Sequence, residues 1–425
     1  MTSVKNVGVV GQNADSEIII IGAGIVGIAT AALLSEAGHS VLVLDRSGIC
    51  EETSSGNAAA LAFSEVLPLA SKGVMKKVPG WLLDPLGPFA IRPSYFPKLI
   101  PWLYRFWRAS SDSALRISTT VQGQMMQLAE REMLALAERA GVNTMIHHDG
   151  TLELYESEAE LKASQPGWDA KKRAGIDYKV VRDAELAALQ PGLSPRFVVG
   201  CFIPKWKTVS DPKLYGQALW HYAEKNGARF HQTVVKAVAK TATGAQITLD
   251  DGRVLQCGKL VIAAGAWSHR LSAQLGDTVP LETERGYNTT LPLGACDVRR
   301  QLTFPGHGFV ITPLTTGLRV GGAVELGGLD LPPNYARADA MLKKAKQFLP
   351  QMNINGGKQW MGYRPSMPDS LPVIGLSSAS SDIVYAFGHG HLGLTQSAAT
   401  ARLVTQLINN EKTALDTSAF SPKRF

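Results

Sequence analysis

The segment EIIIIGAGIVGIATAALLSEAGHSVLVLDR, residues 17–46, leaves a chain few ways to fold. Ile18 to Ile21 is a β-branched run of the kind a buried parallel strand requires, and glycines at 22, 24 and 27 follow it directly. An apolar helix is expected from Ile25 to Ala37, stopped by Gly38, and a second strand, SVLVLD, ends on Asp45. The spacing has a specific physical meaning. Gly22 permits the tight turn, Gly24 lets backbone approach a pyrophosphate, and Gly27 lets the helix pack on the strand. The helix N-terminus at Ile25 and Val26 then faces the phosphates. Asp45, eighteen residues after Gly27 and followed by Arg46, is placed to accept hydrogen bonds from a ribose. The expectation is a dinucleotide site.

The rest of the composition narrows the class. Of 425 residues, 45% are hydrophobic and 19% charged, an ordinary globular balance with room for two domains. Cys50, Cys201, Cys257 and Cys296 form no CxxC pair, which argues against a zinc site or a disulfide framework. No apolar run approaches the roughly 18 residues of a membrane span. The leader, residues 1–15, is expected to be loose, because its apolar piece VGVV is too short for a signal-peptide core. The net charge of +7 invites an anionic partner. The basic clusters Lys76-Lys77, Lys171-Lys172-Arg173 and Arg299-Arg300 are short and scattered, however, so nucleic acid is not expected.

Further along, the prolines between Pro79 and Trp107 are expected to break an aromatic-rich stretch into short turns. A long amphipathic helix should follow, from about Ser113 to Ala140. DPKLYGQALWHYAEKNG reads as a helix capped by Asp211 and stopped by Gly227, and a meander with an Asp-Asp-Gly hairpin comes next. RGYNTTLPL, HGFVITPL and LRVGGAVEL read as strands of a second sheet. Helices are expected from Ala338 to Phe348 and over TQSAATARLVTQLINN.

Two late segments favour FAD over NAD as the dinucleotide. KLVIAAGAWSHRL is an apolar strand ending in Ala264-Gly265, and FGHGHLGLTQSAATARL is a glycine-rich loop running into the final helix. Both suit a cofactor whose flavin end is cradled far from its adenine. With the strand-turn-helix, RVGGAVEL and YRPSMPDSLPVIG, these segments resemble the D-amino-acid oxidase superfamily of flavoproteins, and within it the bacterial D-amino-acid dehydrogenases and glycine oxidase.

That resemblance implies an α/β fold: a discontinuous Rossmann-like FAD-binding domain (16–90, 195–275 and 362–425) plus a mainly antiparallel α+β substrate-binding domain (91–194 and 276–361). It implies non-covalent FAD, touched by Ser54, Ser55, Asn57, Ala58 and Ala59 near the flavin and by Val235 at the adenine end. The backbone of Gly390, His391, Leu392, Gly393, Leu394 and Thr395 should face the flavin; a metal at His389 and His391 is not expected without a third ligand. Arg364 stands where the family binds a substrate α-carboxylate, and its planar fork suits that group. The competing reading pairs Arg364 with Asp369 or has it cap a helix. Tyr287 and His307 are the pocket candidates; the tyrosine that glycine oxidase carries near GHGFVITP is missing.

The implied activity is dehydrogenation of a D-amino acid or cyclic D-imino acid, such as D-proline or 4-hydroxy-D-proline, with hydride passing from Cα to flavin N5. The expected acceptor is a quinone and the expected location cytoplasmic; the aromatic and basic stretch Phe89 to Trp107 reads first as packing of the substrate domain around proline turns, with a patch for the inner face of the membrane as the alternative. An oxygen-using oxidase of glycine, sarcosine or an opine, and an accessory flavin subunit, stay open as alternatives.

Overall fold

The computed structural model describes residues 16–69, 87 and 89–425. The leader and Lys76-Lys77 lie outside the described residues.

Among the described residues, strands form three sheets. The first has a parallel core of strands Arg229–Gln232, Val41–Asp45, Ser16–Ile21, Val254–Ile262 and Ile383–Phe387, in that order. Parallel strands are covered on both faces, which is why IIII rather than an alternating pattern opens the fold. Ile18, Ile19 and Ile20 are fully buried. The helix Ile25–Glu36 lies over them, itself covered by helices Gly393–Ile408 and Pro212–Lys225. Each of these apolar side chains contributes on the order of 1.5–3 kcal/mol on burial. Asp211 caps Pro212–Lys225 by accepting from the N–H groups of Lys213 (2.8 Å) and Leu214 (3.1 Å), as the sequence implied.

The turn between first strand and first helix explains its glycines. Gly22 has φ +115°, and a Cβ there would meet the Ala263 carbonyl oxygen at 2.3 Å. A Cβ on Gly27 would sit 1.9 Å from the Gly22 oxygen, so helix and strand touch only because both positions are bare.

The second sheet has nine strands and is mainly antiparallel. Its working centre is Lys358–Ser366, Glu282–Leu291 and Gly317–Leu326, side by side. Val199–Ile203 falls within the sequence-expected cofactor segment 195–275 but hydrogen-bonds in this second sheet. A small third sheet, Ala60–Leu61, Lys207–Val209 and Ile146–His147, stitches the chain between the two large ones.

One expectation is overturned. Phe96–Ala109 is a single helix with Pro101 inside it, not a series of proline turns. Pro97 sits in the first turn, where its missing N–H costs nothing, and only Pro101 forfeits a backbone bond. Leu99, Trp102 and Phe106 recur at helical spacing and are buried against Ile91 and Leu326, which outweighs that loss. The long helix that follows, Asp112–Arg139, matches its expected span.

Candidate active site

A cavity of about 1110 Å³ lies between the first and second sheets and runs from the glycine turn to the Arg364 strand. At one end, Gly22, Gly24, Ile25, Val26, Asp45, Arg46 and Val235 line it. Asp45 accepts from the backbone N–H of Ala23 and of Ser47, both at 2.8 Å, which fixes the carboxylate beside the helix N-terminus. Burial pushes its pKa above the usual range, against the pull of those two N–H groups. Arg46 forks onto Glu52 through two 2.7 Å bonds and stacks 3.8 Å over the ring of Trp267. Ser54 Oγ accepts from Ile25 N at 3.0 Å, placing a hydroxyl at the first turn of the helix.

Towards the middle, the walls are Asn57, Ala58, Ala264, Gly265 and the run Gly390, His391, Leu392, Gly393 and Leu394. Gly390 N donates to Pro365 O at 2.7 Å, which ties this loop to the Arg364 strand. Asn57 Oδ1 is buried with no hydrogen-bond partner, an unmet acceptor in a residue of the cavity wall. His391 has its open surface on the cavity with protein packed around it; burial lowers its pKa, opposed by Glu284. His389 also lines the cavity, hydrogen-bonded to Thr400 at 2.9 Å, and burial lowers its pKa to about 3. Four expected contacts are not on the wall. Gly27 is spent on helix packing, and Ser55 donates to the carbonyls of Glu51 and Glu52. Ala59 is fully buried at φ +61°, and Thr395 accepts from Ala62 N (3.0 Å) and donates to Ala60 O (3.2 Å). All four shape the site from behind.

At the far end stands Arg364. Its Nη1 donates to the Ala323 carbonyl at 3.1 Å, and no carboxylate ion-pairs with it among the described residues. Asp369, the competing partner, is taken by Arg424 at 2.7 Å. Burial lowers the Arg364 pKa from its ordinary value, with Glu284 opposing. The guanidinium lies over Gly286, where a Cβ would meet it at 2.3 Å. Ala323 has φ +54°, beside a register shift between Arg285 and Tyr287, so a bulge aims its carbonyl at the arginine. Tyr287 is buried on the wall and donates to Glu325 at 2.7 Å. His307 is a correction. It does not line the cavity; it bonds Glu156 at 2.6 Å and packs on Phe348. The left-handed Gly308 after it (φ +66°) turns the chain, and Phe309 takes the wall position.

Residues 17–407 match the family described as FAD-dependent oxidoreductase. The chain belongs to that family. It is 36% identical to a D-amino-acid oxidase of Bradyrhizobium diazoefficiens over 96% of this chain and 98% of the other. A D-amino acid dehydrogenase of Rhizobium rhizogenes is 30% identical over 96% of this chain and 100% of its own. The crystal structure of glycine oxidase from Geobacillus kaustophilus superposes with TM-score 0.74 at 22% identity, covering 97% of this chain and 100% of that one, a likeness of fold.

The oxidoreductase's cofactor is FAD, and the residues present fit it: a fixed carboxylate beside a bare glycine turn, and a helix N-terminus whose first residues line the cavity. Several wall residues were not among the sequence's candidates. Glu284, Asn288, Arg319 and Trp360 line the cavity, as does a buried triad in which Lys171 Nζ lies 2.9 Å from both Glu65 and Glu153. Lys171 reads in sequence as one of a solvated basic run. Glu284 and Asn288 flank the Gly286-Tyr287 pair and Arg319 opens RVGGAVEL, so these three lay in or beside quoted segments, whereas Trp360 and the triad had no signal.

Proposed function

We propose that this oxidoreductase dehydrogenates a D-amino acid or cyclic D-imino acid, with D-proline and 4-hydroxy-D-proline as first candidates. The observation that carries the reading is Arg364, a guanidinium on the cavity wall that pairs with no carboxylate among the described residues. Its fork offers two parallel N–H bonds to a substrate α-carboxylate, and holding that group fixes the Cα–H direction. Bound FAD supplies the two-electron acceptor. The chain's own part is positioning: Arg364 anchors, Tyr287 is locked by Glu325, and the Phe89, Trp102, Phe106 and Leu326 wall excludes water from the reacting carbon. No side chain is needed to take a proton from Cα. Non-covalent FAD, held across the three chain segments, belongs to the same proposal.

A quinone-type acceptor is supported by the outward face of the Phe96–Ala109 helix. Ile100, Tyr104 and Trp107 are 51%, 56% and 55% exposed there, among the exposed Lys98, Arg105 and Arg108. Rings and cations together suit an anionic bilayer surface, at about 1 kcal/mol per basic residue. The oxidase name of the 36% relative favours a second reading, in which oxygen is the acceptor. The deciding experiment is an anaerobic panel of D- and L-amino acids, followed by loss of flavin absorbance and then by reoxidation with oxygen or a soluble quinone. Bleaching by D-imino acids with fast quinone reoxidation is expected. Bleaching by none of the panel overturns the substrate class, and peroxide formed at the turnover rate replaces quinone by oxygen.

A further inference from the structure

Arg364 is not the only charged group at its end of the cavity. Glu284 is its direct neighbour across the sheet, since the register pairs Glu284 with Arg364, Glu282 with Ser366 and Gly286 with Gly362. Directly opposed residues project to the same face, and both Glu284 and Arg364 line the cavity. Such a pair would ordinarily close on itself as a salt bridge. Here it does not: Arg364 leans along the strand over bare Gly286 and bonds the Ala323 carbonyl, leaving no ion pair between the two. Glu284 is 7% exposed, and one of its oxygens, Oε1, accepts from Ser366 Oγ at 2.6 Å. Among the described residues, no hydrogen bond engages Oε2. A buried carboxylate with a vacant oxygen, beside a guanidinium it does not neutralise, is an expensive arrangement for a folded protein. It becomes favourable when one ligand brings an anion for the arginine and a cation for the glutamate.

We infer that Glu284 and Arg364 together form a zwitterion clamp, with Glu284 Oε2 receiving the substrate's α-ammonium while Arg364 holds its α-carboxylate. This inference rests on the amino-acid reading above and deepens it. It assigns the substrate class by charge: α-amino and α-imino acids bind, whereas 2-hydroxy acids and plain carboxylates of the same shape meet an unpaired Glu284. Glu284 also resolves a difficulty of the chemistry. Oxidation at Cα requires a neutral amine, and an ammonium held by a carboxylate would be kept charged. Glu284 therefore takes one ammonium proton before the Cα–H bond breaks. The N–H bond breaks, an O–H bond forms on Oε2, and the nitrogen keeps the electron pair; nothing is oxidised in this step. The charged groups that face Glu284 are Arg364 from the next strand, His391 from the glycine loop and Glu282 from its own strand.

The test uses the FAD-loaded enzyme and two matched pairs, D-proline with cyclopentanecarboxylate and D-alanine with propionate. Affinities come from flavin absorbance changes and from the concentration dependence of anaerobic reduction. Glu284→Gln keeps an acceptor for Ser366 and removes the charge. It should weaken the amino acid of each responsive pair by about 10–100-fold, while the carboxylate binds as tightly as before or tighter. The reduction rate near pH 7 should fall by roughly 10²-fold, the usual worth of a general base, and recover as the pH approaches the substrate's own amine pKa. Glu284→Asp, with the charge on a shorter arm, should restore the discrimination, and it carries the test if the glutamine variant does not fold. Equal weakening of both members of a pair by Glu284→Gln, or an unchanged pH profile, overturns the clamp and leaves the substrate reading standing. Failure of the wild type to bind or oxidise either amino acid while it binds the carboxylates overturns both.

Discussion

Lys171 and Arg364 stand on the wall of one cavity, each beside a carboxylate, and are treated in opposite ways. Lys171 is satisfied from within, with Glu65 and Glu153 each 2.9 Å from its Nζ. Burial works against its charge, but the two carboxylates win and hold its pKa above the ordinary lysine value. The two acids share one ammonium, so burial leaves the Glu153 pKa raised while Lys171 draws that of Glu65 down. Arg364 has one backbone carbonyl and no ion pair, although Glu284 is its neighbour on the next strand. A lysine with its counter-ions built in stabilises a fold. An arginine whose counter-ion is withheld is arranged for something that comes and goes.

If that contrast is right, substitutions at the two positions must fail differently. The largest effect is expected from Lys171→Met, which strands two buried carboxylates. Breaking such a pair costs about 3–5 kcal/mol of stability, and the lower end is expected because Glu65 is 31% exposed. Urea unfolding of the FAD-loaded protein measures it, and a loss confined to activity would break the comparison. Arg364→Ala should do the reverse. It should cost about 2–5 kcal/mol in amino-acid affinity, the range for truncating one partner of a buried charge pair, with FAD content and unfolding midpoint little changed. Steady-state kinetics beside flavin content per chain separates the two. The smallest effect belongs to His307→Gln. Glu156 keeps Arg196 at 2.8 Å when the imidazole is removed, and the residue is off the cavity wall. Stability should move by less than about 0.5 kcal/mol, and kcat/KM should be unchanged; a large loss of kcat/KM would return His307 to the pocket.

What could be read from the sequence was whatever is fixed locally. Gly22 and Gly27 announce themselves because a turn and a helix–strand contact are made by neighbours in the chain. The Asp211 cap and the Asp250-Asp251-Gly252 hairpin are legible for the same reason. Arg364 was found through a resemblance, and the structure removes its competing partner by giving Asp369 to Arg424. The misreadings all depend on distant partners. Pro101 looks like a helix breaker until Leu99, Trp102 and Phe106 find Ile91 and Leu326. His307 looks like a wall residue until Glu156, from another part of the sheet, claims it. Lys171 looks solvated until Glu65, over a hundred positions earlier, is folded against it. Glu284 shows its place only once the strand register is known.

The parallel sheet described above also sets a timetable. Ile18 to Ile21 pair with Lys259 to Ile262, and those in turn with Ile383 to Tyr385. The glycine turn is synthesised well before its neighbour Ala263, and the loop around His391 comes later still. At roughly 5–20 residues per second, the nucleotide half-site waits on the order of tens of seconds for its other walls. FAD therefore meets all of its walls only after the chain has passed His391, and the glycine turn alone offers it a half-site.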